Sequence, residues 1–156
     1  MKYRQLTKEQ FESLHQEFAQ FLATQKIDAA LWESIKKKKP AMALEEMDLF
    51  SDVVWDDVLT NCTHLEHFSK HTLNLFKCSE TAMHRIVVTV PVTVNLLEKE
   101  GLTWLLQNTN HDTVTYLQGE KKYTAVRNTE LFAMIEQGSV LADATLYTQF
   151  KSVLPA

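Results

Sequence analysis

The chain has 156 residues, 45% of them hydrophobic and 23% charged, which is the balance of one ordinary globular domain. Its 16 Lys and Arg stand against 20 Asp and Glu, a formal charge of -4, and that argues against a general nucleic-acid backbone binder. No apolar run approaches the ~18 residues of a membrane-spanning helix, so no membrane segment is expected.

The first segment predicts a helix. Thr7-Lys8-Glu9-Gln10 fits a capping box, and Leu6 and Phe11 are spaced as a hydrophobic staple. Phe11, Leu14, Phe18, Phe21 and Leu22 then recur at helical spacing, which predicts one continuous helix with a core-facing stripe. Asp28 suits the N-cap of a second helix, with Leu31, Trp32 and Ile35 facing inward. Lys36, Lys37, Lys38 and Lys39 close it, where cations complement the helix dipole. Pro40 stops that helix and suits the first turn of a third. Met42, Met47, Phe50, Val54 and Val58 continue the third at helical spacing.

The texture changes near Asn61. Cys62 to Phe68, His71 to Cys78 and Met83 to Val90 read as strands, the last with the β-branched run Ile86-Val87-Val88-Thr89-Val90. The short turn at Ser79-Glu80-Thr81 makes the last two an antiparallel hairpin. Asn95 is placed to cap a helix through about Asn108, with Gly101 inside it permitting close packing. Thr113 to Leu117 and Lys121 to Val126 are expected to form a second hairpin around Gln118-Gly119-Glu120. Two helices follow. One runs from Asn128 to Gln137 and ends at Gly138 as C′, and the other is capped by Asp143. The expectation is a single α+β domain over 1–156. Residues 1–60 carry about three helices. Residues 61–156 carry a mainly antiparallel sheet with an inserted helix and two C-terminal helices.

Five short stretches carry a resemblance. The opening Lys2-Tyr3-Arg4-Gln5-Leu6-Thr7-Lys8-Glu9-Gln10-Phe11, followed by Leu14-His15-Gln16-Glu17-Phe18 and Phe21-Leu22-Ala23, resembles a family of small uncharacterised proteins from Bacteroidetes, a domain of unknown function. Phe50-Ser51-Asp52-Val53-Val54-Trp55 and Gly101-Leu102-Thr103-Trp104-Leu105 are similar to it as well. The resemblance spans essentially the whole chain. It implies a bacterial, cytoplasmic, stand-alone protein and carries over no catalytic residue.

Chemistry-bearing motifs are sparse. Three isolated glycines, Gly101, Gly119 and Gly138, write no phosphate loop, dinucleotide fingerprint or nucleophile elbow. Two cysteines are few for a stapled secreted domain, and the N-terminus lacks the apolar core of a signal peptide, so a cytoplasmic setting is expected. Cys62, His64, His67 and His71, with Cys78 and His84 after them, are zinc-type ligands. On a strand Cys62 and His64 share a side; on a helix the three histidines share a face. No familiar zinc spacing fits, and the plainer reading is polar sheet positions with two buried thiols. His111-Asp112 has the residue types of a carboxylate-held base but reads as turn chemistry. A nucleophilic Cys62 or Cys78 needs an electropositive setting, and only Lys77 supplies a cation beside either in sequence.

The remaining signal is charge. Glu45, Asp48, Asp52 and Asp56 fall at offsets of three and four, so they line one face of the third helix. Like charges at these offsets each cost a few tenths of a kcal/mol in an isolated helix. Neutralising them is therefore expected to leave stability unchanged or slightly raised. The expected function is a non-catalytic adaptor that needs no cofactor and docks an unidentified protein partner through this acidic face and the Lys36–Lys39 run. One alternative is a Cys/His metal protein or metal-dependent enzyme. The other is an RNA- or ribosome-associated factor using the lysine run.

Overall fold

The structure, a computed structural model, describes residues 1–155. The fold is α+β, with elements ordered α1 (Lys8–Ser13), α2 (His15–Thr24), α3 (Ala29–Lys38), α4 (Pro40–Asn61), β1 (His64–Phe68), β2 (Thr72–Cys78), β3 (Ala82–Thr89), α5 (Lys99–Gln107), β4 (Thr115–Lys122), α6 (Arg127–Glu136), β5 (Val140–Ala142) and α7 (Thr145–Ser152). The chain divides into two compact units, Met1–Thr60 and Asn61–Ala156.

The first unit is helical. The capping box is present: Thr7 Oγ1 accepts from Gln10 N, and Gln10 Oε1 accepts from Thr7 N. The expected single helix is interrupted at Leu14, whose φ of -108° and ψ of 24° leave the helical region. Leu14 N still donates to Gln10 O and Phe18 N to Leu14 O, so the interruption is a one-residue kink in a continuing ladder. Helix α2 ends with Ile27 N donating to Leu22 O and Lys26 N to Ala23 O, the pairing that closes a helix through a left-handed residue. That residue is Lys26, at φ 61°. Phe18 is only half-buried, yet it is the hub of an aromatic cluster. Its ring lies 5.4 Å from Phe11, 5.0 Å from Phe50 and 5.3 Å from Trp32.

The second unit is built on a five-stranded sheet in the order β4-β3-β2-β1-β5, antiparallel at every pairing. Strand alternation sorts its two faces. Leu73, Leu75, Ile86 and Val88 form the covered face, packed with Leu105 of α5 and with Tyr147 and Phe150 of α7. Asn74, Phe76, Arg85, Val87 and Leu117 point the other way. Two expectations change here. Gln118-Gly119-Glu120 makes no hairpin turn: β4 runs straight through it, with Gly119 opposite Arg85 and Gln118 opposite Ile86. Strand β5, absent from the sequence reading, pairs Val140, Leu141 and Ala142 with β1.

Helix α5 also starts later than expected. Asn95 makes a turn instead of a cap, its Oδ1 accepting from Leu97 N. The Asn95 carbonyl folds back onto Gly101, where an added Cβ would sit 1.8 Å from its oxygen. Gly101 is therefore required by that approach. Gly138 is the C′ residue expected of it: φ is 113°, Ser139 N donates to Met134 O, and Gly138 N donates to Ile135 O.

Candidate functional site

The acidic face of α4 comes first, because it was the candidate partner surface. Its carboxylates are held by the chain's own N-terminal segment. Asp52 accepts from Lys2 N at 2.6 Å and Tyr3 N at 2.8 Å. Asp56 accepts from the Tyr3 hydroxyl and pairs with Lys2 Nζ at 3.2 Å. Asp48 accepts from Gln5 Nε2 at 2.9 Å. Leu6 N donates to Ser51 Oγ, whose hydroxyl in turn donates to Met47 O. Arg4 lies over the Trp55 ring at 5.0 Å, and Leu6 is buried. Burial first, then the bond to Asp56, pushes the Tyr3 phenol above its ordinary range. Residues 2–6 thus form a strap along α4. Of the four carboxylates, only Glu45 stands apart and exposed.

This arrangement reverses the stability expectation. The aspartates accept charge-assisted hydrogen bonds, two of them from backbone N–H groups, and such bonds contribute about 1.5–3 kcal/mol each when well formed. Their removal is therefore expected to destabilise. The lysine run has the helix-end setting expected of it. Lys36, Lys37 and Lys38 occupy the last turn of α3, with Lys39 as C-cap. Lys36 pairs with Glu33 at 2.7 Å, which holds the Glu33 carboxyl below its usual range.

The Cys/His group is dispersed by the sheet. His64 lies on the covered face, its ring 5.5 Å from Tyr147. Burial, with the charge of Lys77, holds its imidazole below the usual histidine range. His67, three residues along β1, lines the opposite face. His71 precedes β2 and donates from Nδ1 to Val94 O at 2.8 Å. Cys62 sits beside Cys78. Among the described residues no three His, Cys, Asp or Glu side chains are grouped as a metal ion would require. His111 bonds Thr113 through Nδ1 at 2.8 Å and is exposed.

The feature that the sequence did not flag is a cleft of about 640 Å³ on the open face of the sheet. Asn74, Phe76, Met83, Arg85, Gly119, Glu120 and Lys121 form its floor, and His67, Met134, Gln137 and Ser139 form one wall. Gly138 belongs to that wall: a Cβ there would lie 3.4 Å from His67 Nε2. Arg85 is fixed across the floor. Its Nε and Nη2 donate to Asn74 Oδ1 at 3.0 and 2.5 Å, and its guanidinium lies 5.7 Å from the Phe76 ring centroid. Among the described residues no carboxylate lies within salt-bridge distance of Arg85. Lys121 reaches Glu130 Oε2 only at 3.9 Å. The other oxygen of Glu130 accepts from Thr124 N, Thr124 Oγ1 and Ala125 N. The cleft opens onto β4, an edge strand paired on one side only, where Leu117 is 69% exposed.

Residues 1–155 match a family of unknown function (DUF6495). The chain belongs to that family. No curated protein and no solved structure matches it. Within the DUF6495 fold the cleft draws its lining from β1, β2, β3, β4 and the end of α6, so no local spacing announces it. The one sequence signal available was the alternation Asn74, Phe76 and Arg85, Val87, which puts a cation and an aromatic ring on a sheet face. No helix among the described residues is long and apolar enough to cross a membrane.

Proposed function

We propose that this DUF6495 protein is a non-catalytic interaction protein whose partner site is the sheet cleft, and that the partner contributes an extended acidic segment. The observation that carries this reading is Arg85. A guanidinium held flat by a neutral amide and an aromatic ring is presented to a cleft whose lining carboxylate, Glu120, lies beside His84 and not beside Arg85. A planar, pre-positioned guanidinium is suited to bidentate carboxylate recognition. The neighbouring edge strand supports the same reading. An extended segment adding to β4 gains main-chain hydrogen bonds, and alternate side chains then fall on the face that carries Arg85 and Lys121. We further propose a cytoplasmic setting in a Bacteroidetes host, which the free thiols of both cysteines fit.

Capture of partners from the native host by tagged protein tests this. The double charge reversal Arg85→Glu and Lys121→Glu is expected to abolish capture of the specific partner at low salt. Replacing the lysines 36–39 by Gln is expected to leave capture intact. Undiminished capture by the double reversal rejects the cleft as the site.

A further inference from the structure

The second unit holds a pair of thiols that neither the fold nor the cleft explains. Cys62 lies just before β1 and Cys78 ends β2. Both are free and buried. Their backbones are drawn together from two directions. Cys78 N donates to Thr63 O at 2.8 Å, extending the β1–β2 ladder to the cysteines. Arg127 then ties both carbonyls with one nitrogen: Nη2 donates to Cys62 O at 2.6 Å and to Cys78 O at 3.2 Å. Its Nε donates to Ser79 O at 3.1 Å. Between these anchors the two thiols face each other closely enough for each to shift the other's proton affinity.

We infer that Cys62 and Cys78 form a peroxide-oxidisable dithiol that closes to an intramolecular disulfide, with Cys62 the attacking sulfur and Cys78 the resolving one. The surroundings assign these roles. Cys62 lies against Cys78 and faces the Arg127 charge, and as a thiol it donates to His64 O at 3.5 Å. The first two hold its thiol below the ordinary range despite burial. Cys78 is pushed up by its contact with Cys62 and by burial, so of the two sulfurs Cys62 is the one that ionises first. Thiolate character beside a resolving cysteine is the chemical signature of a reversible sensor pair.

The step balances with a hydroperoxide as oxidant. The Cys62 thiolate attacks one peroxide oxygen, the O–O bond breaks, and hydroxide leaves as Cys62 becomes a sulfenic acid. With the anion gone from Cys62, the Cys78 thiol gives up its proton to that hydroxide, forming water. The Cys78 sulfur then attacks the Cys62 sulfur, the S–O bond breaks, and the departing hydroxide is protonated to a second water. Two thiols lose two electrons and hydrogen peroxide gains them. A disulfide of ~2.05 Å needs Cα atoms within about 7 Å, and the shared Arg127 donor holds the two backbones together.

The test is hydrogen peroxide treatment of the folded full-length protein, followed by unfolding, alkylation and intact-mass analysis. The expected product has lost two hydrogens, resists alkylation at both cysteines, yields a Cys62–Cys78 cross-linked peptide and is restored by dithiothreitol. The oxidation rate should rise with pH across the neutral range. In Cys78→Ser, a sulfenic-acid probe such as dimedone should label Cys62. If both cysteines of wild-type protein stay fully alkylatable under peroxide that already oxidises Met1, the inference fails. It also fails if oxidation yields only sulfonic acid or cross-linked dimers.

Discussion

The acidic face of α4 and the cleft on the sheet are the two charged surfaces most open to a functional reading, and they differ in who answers their charge. On α4, Asp48, Asp52 and Asp56 are met by Gln5, Lys2 and Tyr3 of the same chain. In the cleft, Arg85 is held by Asn74 and Phe76, which fix its direction without neutralising it. A run of like charge is therefore not in itself a docking surface. It becomes one only where the fold leaves it unanswered. The first region's carboxylates are bound by their own chain, whereas the second carries a cation that no carboxylate meets.

The largest expected effect follows from the strap. Removing residues 1–6 takes away buried Leu6 and leaves three aspartates without their partners. A loss of about 3–5 kcal/mol is expected, read by urea unfolding monitored at the tryptophans. A loss under about 1 kcal/mol would make the strap incidental and return the acidic face to the list of docking surfaces. The triple substitution Asp48→Asn, Asp52→Asn, Asp56→Asn isolates the charge. It should lower stability by about 1–3 kcal/mol, because two backbone donors and the Tyr3 hydroxyl lose a charged acceptor. An unchanged or higher melting temperature breaks the comparison on this side.

On the sheet side, Gly138→Ala should cost about 1–2 kcal/mol. The residue sits at φ 113°, which strains any side chain, while its new methyl would only touch the His67 ring at 3.4 Å. The pH response separates the two faces of the sheet. His64, on the covered face, is held below its ordinary range by burial and Lys77. The unfolded chain therefore takes the proton first, so this group's contribution is complete above the ordinary histidine pKa of about 6.5 and is lost as pH falls below it. Glu66, raised by burial and by Asp143, works in the opposite direction in more acid solution. The His64→Gln difference curve against wild type isolates the histidine part, which should vanish in the variant. The smallest effect is expected for Arg85→Ala with Lys121→Ala. Both side chains are exposed, and the change should stay within about 0.5 kcal/mol.

Local chemistry made much of the fold legible. The Thr7 box, the Asp28 cap, Pro40 at the start of α4, the β-branched run of β3 and Gly138 at the end of α6 each satisfy a backbone requirement within a few residues. What failed to show was non-local. Gly119 reads as a turn because glycine permits one, but pairing with β3 holds it extended in β4. Val140–Ala142 is too short to announce a strand and exists through its partner β1. The kink at Leu14 has no Pro or Gly to mark it. For the candidate sites the gap is wider. The strap's bonds span 43 to 54 residues of sequence, so the aspartates looked unanswered. The cleft gathers one to three residues from each of five elements. Periodicity finds a face, but only tertiary packing decides whether that face is covered.

A backbone-amide NMR titration with two probes tests the contrast most directly. One probe is a short poly-glutamate peptide and the other a short poly-lysine peptide, each added at low salt. The expected result is that poly-glutamate shifts the amides around Arg85 and along β4, while poly-lysine leaves those of Asp48, Asp52 and Asp56 unmoved. Poly-lysine shifts along α4 with no response of the cleft to poly-glutamate would contradict the account.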